Sequence, residues 1–446
     1  MSVENHTLEI IASDGFDVKP TTVDSVVVYA GERWDIIIRG SQPIGSYWIK
    51  FRGLMDCDDR FTSAYQVAVL NYDGIEPGTY PEHSIKSWKE SAAPENGLHL
   101  NPLNIAPGTA KKYMTAAELT SLKDDDPEII QKEKADHQFY LAYDFNPIDN
   151  IRFHGPHIPI RTVRKGFKLY TPQLNFISHV MPLSPPMTQP ESIHEIRKCN
   201  ESSMKVNCTV DYCECTHWLN VKLNSIVEII LVDRGYTFDA NHPFHLHGHA
   251  FRVVGMERLG KSTEPWIIQE RDAKQSVLRK RVNAPIKDTV TVPDGGYTIL
   301  RFRADNPGYW FFHCHITFHV EVGMGLIIQV GEPEQMLKSP EHFPKCGNYI
   351  PPARINPIQV SENVQTIIPY NNISTPRQPP YSILSSTTMT TYDNTVDVDG
   401  DLKNATIIPL KESARPSRAH GRSSTCAISS SSNFIAMILL VVYIAL

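Results

Sequence analysis

Residues 310–324 constrain this chain more than any other stretch. They read Trp310-Phe311-Phe312-His313-Cys314-His315, with His319 four residues further on and Met324 ten residues after the cysteine. The apolar run leading into His313 favours a strand, and strand side chains alternate between faces. His313 and His315 therefore point one way and Cys314 the other. One strand then serves two sites on opposite faces, joined covalently through single peptide units. No single tetrahedral ion can use all three residues, so zinc, the ordinary default for His and Cys, does not fit. The companion segment is Asn241-His242-Pro243-Phe244-His245-Leu246-His247-Gly248-His249, in which His245 and His247 share a face. Whatever the fold is, it has to bring these two segments side by side.

The residue types then define a chemistry. Two imidazoles and a thiolate with a long axial thioether make the blue-copper, or type 1, constellation. Cys314, His319 and Met324 supply three of those groups and His242 the second imidazole. His245 and His247 join His313 and His315 around a further cluster. His249 is read as lying outside it, and His154 and His157 as loop residues.

The rest of the chain reads as all-β. Short β-type runs at 8–12, 25–30, 34–39, 47–51 and 65–70 are punctuated by Asp14-Gly15, Gly31 and Gly45. Further runs occupy 138–143, 225–232, 250–256, 289–292, 297–303, 309–319 and 325–330. Gly31-Glu-Arg-Trp-Asp-Ile-Ile-Ile-Arg39 precedes a Gly-Ser-Tyr47-Trp48 strand, and Gly296-Tyr-Thr-Ile-Leu-Arg301 precedes Gly308-Tyr309-Trp310. This echo predicts tandem β-sandwiches, the first without metal chemistry, because Phe51, Arg52 and Gly53 stand where His313, Cys314 and His315 stand. The expected organisation is a truncated first sandwich over 1–80 and a connector over 81–136 with one short helix near 116–123. A copper-binding sandwich follows over 137–348, then a Pro/Ser/Thr-rich stalk over 349–422 and an anchor segment over 423–446. A net charge of −6 without a basic patch argues against a nucleic-acid partner.

Three features point to the cell exterior. Sequons lie at Asn5, Asn200, Asn207, Asn372 and Asn404. Cys199, Cys208, Cys213 and Cys215 read as disulfides, with a zinc site through Cys213, Cys215 and His217 as the alternative. The uncharged run 434–446 follows small residues at 423–425 and a Ser-rich spacer, the grammar of a GPI-anchor signal; a tail-anchor helix is the alternative. Residues 1–8 lack the pattern of a secretory signal.

The two His-rich segments resemble the blue multicopper oxidases and, within them, the arthropod-type laccases. The third cupredoxin domain of that family carries His-Pro-x-His-Leu-His-Gly and His-Cys-His-x-x-x-His, and both motifs stand intact here. The likeness extends to IASDG, YAGERWDIIIRG, CECTHWL and PDGGYTILRFRADNPGYWFFHCH, covering most of residues 5–350. It implies tandem cupredoxin-like Greek-key sandwiches. It also implies that His242, Cys314 and His319 bind type 1 copper with Met324 axial, that His245 binds type 2 copper, and that His247, His313 and His315 bind the type 3 pair. Electrons would pass from Cys314 to His313 and His315, making these three the catalytic link. The family's O₂ site needs eight histidines and this chain offers four; the resemblance places the rest in an N-terminal domain whose His-Trp-His-Gly and His-Ser-His motifs do not occur here. The implied activity is one-electron oxidation of diphenols or catechols coupled to reduction of O₂ to water. Fe(II) oxidation, with Glu321 beside His319 binding the cation, is an alternative, as is a non-catalytic copper-binding fragment. The implied partners are a phenolic donor or Fe(II), O₂, and a membrane through the C-terminal tail.

Overall fold

The computed structural model describes residues 1–53, 64–105, 109, 112–148, 169–190, 198–237, 240–346, 407–409 and 441–445. The chain divides into one compact unit of Met1–Cys346 with Asn404–Leu446 and a second of Gly347–Lys403. The second unit lies outside the described residues, as do His154, His157, Cys57, most of the expected stalk and the GPI-type small-residue site.

In the first unit, alternation builds a small sandwich. Leu8–Ser13 pairs antiparallel with Phe16–Val23 and with Trp34–Arg39. The hairpin turns on Asp14 (φ 51°) and Gly15 (φ 81°), the paired positive dihedrals of a type I′ turn. Leu8, Ile10, Trp34, Ile36 and Ile38 point inward and meet Tyr47, Ile49 and Leu70 from the facing pair Ser46–Arg52 and Tyr65–Asn71. Val441–Ala445 runs parallel along Trp34–Arg39, so part of the apolar C-terminal run extends this sheet. Among the described residues, no helix is long and apolar enough to cross a membrane.

The connector differs from the sequence expectation. In place of a helix near 116–123 there is a single 3₁₀ turn, Ala116–Glu118, held by reciprocal hydrogen bonds between Thr115 and Glu118. The chain then leaves the helical path because Lys19 N–H bonds to Thr120 O (2.7 Å) and Ser121 N–H to Asn283 O (2.9 Å). A short helix, Pro127–Gln131, starts on Asp126 with proline at its first turn, where a missing N–H costs nothing. Arg303 clasps Asp126 (2.6 and 2.7 Å), fixing the connector to the second sandwich.

That sandwich is a long folded path of strands. Phe251–Arg258, Gly296–Arg303, Ile226–Asp233 and His137–Ile148 form one face. Cys213–Val221, Gly325–Val330, Gly308–Cys314, His242–Leu246 and Thr289–Val292 form the other. Val227, Ile229, Leu231, Leu300 and Phe302 of the first face pack against Phe244, Leu246, Phe312, Leu326 and Ile328 of the second. Cys314 and Met324 belong to this same buried core. The cysteine cluster forms two disulfides, Cys199–Cys215 and Cys208–Cys213, so the zinc alternative through Cys213 and Cys215 falls.

Candidate copper site

Register places the two His-rich segments against each other. Phe244 pairs with Cys314 and His245 with His313 in an antiparallel ladder. Alternation along His242–Leu246 then sends His242 and Phe244 to the core side with Cys314, and His245 to the outer side with His313. The strand from Gly308 ends at Cys314, earlier than the 309–319 run suggests. His315 N–H bonds to Pro243 O (2.7 Å), and His319 sits on a short helix, Thr317–Glu321. That helical turn folds the His319 ring back over the core, with Nδ1 3.7 Å from Cys314 Sγ. Met324 is brought alongside because Cys314 N–H bonds to Met324 O (3.0 Å), and Met324 N–H to His319 O (3.0 Å).

On the inner side, the ring centroids of His242 and His319 are 5.0 Å apart, walled by Phe145 and Tyr143. His242 is buried, and among the described residues neither ring nitrogen meets a side-chain hydrogen-bond partner. Burial lowers the His242 pKa to about 4, and burial together with His242 lowers that of His319 to about 2. Both rings are thus neutral, the form that ligates metal. Burial pushes the Cys314 thiol up to about 12, so metal binding there displaces a proton.

On the outer side, His245, His247, His313 and His315 form one group. Centroids are 5.0 Å apart for His245 and His247, 5.2 Å for His247 and His313, and 5.8 Å for His245 and His315. His247 Nε2 faces His313 Nε2 at 3.1 Å. Two further nitrogens are engaged: His313 Nδ1 bonds to Cys314 O (2.8 Å), and His245 Nδ1 to Asp288 O (3.0 Å) and Thr289 Oγ1 (2.9 Å). Such bonds fix the tautomer that leaves Nε2 free as a donor. Gly248 has φ +69°, and a Cβ there would stand 2.3 Å from the Trp310 ring, so only glycine lets the chain turn past that indole after His247. His249 packs instead on Phe302 and Trp310, apart from the four.

Copper fits these residues by donor type: a buried thiol with two neutral imidazoles on one face, and four neighbouring imidazoles on the other. Among the described residues, no three His, Cys, Asp or Glu side chains already close on one point, so the fit is one of donors and neighbourhood. The sequence motifs did not single out Asp288 and Thr289, which bond His245, or Arg33, which bonds Asp288. The charged Lys287-Asp288 pair leading into the apolar Thr289–Val292 run was the one available signal.

Multicopper oxidase family models match residues 182–334 and 1–75. The chain belongs to the multicopper oxidase family, whose members bind copper. Relatives include laccase-2 of Oryza sativa subsp. japonica (26% identity, 77% of this chain, 58% of the relative) and laccase-1 of Trametes villosa (25%, 76% and 52%). The iron multicopper oxidase fer1 of Mycosarcoma maydis is another (27%, 73% and 43%). The chain thus spans about half the length of these relatives. Among solved structures, Fet3p, a multicopper oxidase that functions in iron import, superposes with a TM-score of 0.51 at 17% identity, over 74% of this chain and 52% of that one. At that identity the likeness establishes the cupredoxin-like fold alone.

Proposed function

We propose that this chain carries the electron-accepting copper centre of a laccase-like oxidase acting on diphenols or catechols. The observation behind the proposal is the Cys314 strand, with its thiol 3.7 Å from His319 Nδ1 and its two flanking histidines on the opposite face. His242, Cys314, His319 and Met324 would hold one copper, and His245, His247, His313 and His315 would contribute to a second cluster. Copper supplies the one-electron chemistry that links donor to O₂. The chain's own residues do the rest. The Phe145 and Tyr143 rings exclude water from His242 and His319. Cys314 joins the two donor sets through single peptide units. The exposed rim beside His319 receives the donor.

That rim favours an aromatic donor. Phe318 is 54% and Val322 38% exposed, an apolar pair flanking His319. A second reading, Fe(II) oxidation, rests on exposed Glu321 of the same helix and on the iron-oxidase relative. Donor oxidation and oxygen uptake by the copper-loaded chain separate the readings. Phe318→Ala is expected to lower kcat/KM for catechol about tenfold, the loss of one apolar contact, and Glu321→Gln to leave it unchanged. The converse pattern, with Fe(II) rates falling in Glu321→Gln, would establish the iron reading. Donor oxidation without oxygen uptake would mark an electron-accepting copper protein, since the four outer histidines are half of the family's O₂-site set.

We further propose that the protein works outside the cell. The two disulfides and the exposed sequon residues Asn5 and Asn207 support this. Glycan release from the secreted protein tests it.

A further inference from the structure

The first sandwich carries no metal-ligating motif, yet its turn at 31–33 sits directly under the outer histidines. Gly31 has φ +83°, and a Cβ there would stand 2.5 Å from His315 Cδ2 and 2.6 Å from Cγ. The backbone of one sandwich is therefore the floor on which a candidate ligand of the other lies. Two residues on, Arg33 donates both guanidinium arms to Asp288, 2.5 Å to Oδ1 and 2.6 Å to Oδ2, and a further bond to Gly31 O at 3.0 Å. Thr289 Oγ1 donates to Asp288 Oδ1 (2.8 Å), which leaves that hydroxyl to accept from His245 Nδ1–H at 2.9 Å. The bonds converge on the Asp288 carboxylate, with Arg33 donating from the first sandwich and Thr289, itself accepting from His245, donating from the second. Asp14, also of the first sandwich, accepts from the backbone N–H groups of Asp288 (3.2 Å) and Thr289 (3.1 Å), fixing the strand that carries them.

We propose that Gly31 and Arg33 are positioning residues for the outer copper cluster: the metal-free sandwich sets the His315 ring by contact and, by holding the Asp288 carboxylate, orients the Thr289 hydroxyl that bonds His245. The proposal rests on the copper reading above. It implies that the second sandwich does not assemble the outer site by itself, whereas the Cys314 site on the opposite face needs no residue of the first.

Titration of the full chain with Cu(II) tests this, with two signals followed together. Visible absorption reports copper on Cys314, and electron paramagnetic resonance of non-thiolate copper reports the outer histidines. Gly31→Ala and Arg33→Gln should weaken outer-site binding by 10- to 100-fold, the usual cost of losing a group that orients a ligand, while the Cys314 absorption is unchanged. Arg33→Lys keeps the charge but loses the planar fork and should fall between. Unchanged outer-site affinity in both Gly31→Ala and Arg33→Gln would overturn the proposal. So would parallel loss of both signals in both variants, which would assign these residues to folding. If the unaltered chain shows neither signal, the copper reading itself fails, before any variant is compared, and the proposal fails with it.

Discussion

His179 shows how much of this molecule depends on keeping single imidazoles neutral. Its Nδ1 accepts from His217 N–H (3.2 Å), its Nε2 is buried with no partner among the described residues, and its ring packs on Phe311. Burial first, then His217 and His313, lowers its pKa from 6.5 to about 3. The sign follows from linkage. Below pH 6.5 the unfolded chain takes up a proton that the folded chain refuses until about pH 3, so stability falls as pH drops through that window. The slope is at most about 1.4 kcal/mol per pH unit for one group. Urea midpoints of the copper-free chain should therefore fall less between pH 7 and pH 5 in His179→Phe than in the unaltered chain. Parallel pH dependence in the two would show that His179 takes its proton in the folded state. This residue was not legible in the sequence: a lone histidine in a short run carries no pattern, and its burial comes from partners on strands far away in the chain.

Elements were legible where the pattern was local. The runs 34–39, 289–292 and 325–330 coincide with strands Trp34–Arg39, Thr289–Val292 and Gly325–Val330. Each is apolar enough to be buried on at least one face and is bounded by Gly, Asp or Pro. Phe16–Val23 escaped notice because only Val18 and Val23 of its eight residues are buried, so alternation is missing. Helix Pro265–Ala273 escaped for the same reason, with Ile268 its only buried residue. The turn to helix after Cys314 was hidden because Thr317-Phe-His-Val-Glu321 contains β-formers; backbone bonds around Ile316 and Met324 override that propensity. The disulfides act at this scale too. Cys199–Cys215 spans 16 residues and ties Lys198–Cys199 to the strand Cys213–Val221, whereas Cys208–Cys213 spans 5. Opening the longer loop with Cys199→Ser should cost about 3 kcal/mol on the loop-entropy account, and Cys208→Ser less. Calorimetric midpoints check the ranking, and equal losses would contradict it.

At the scale of the whole molecule, the two sandwiches are tied by buried charge. Lys287 is fully buried, 3.2 Å from Asp14 and 4.4 Å from the Trp34 ring centroid, and Glu32 accepts from Thr291 N–H and Oγ1–H. Burial raises the Glu32 pKa, with Lys287 opposing. The sequence echo foresaw two sandwiches but not this seam, because cross-domain ion pairs leave no periodic trace. The account as a whole turns on whether Cys314 and its neighbours hold copper. Visible absorption of the purified full chain on adding Cu(II), beside that of Cys314→Ser, is the direct measurement. The account predicts an intense thiolate-to-copper absorption that saturates near one copper per chain and is lost in Cys314→Ser, while copper at the outer histidines persists. Copper binding without that absorption, or an absorption unchanged by the substitution, would contradict it.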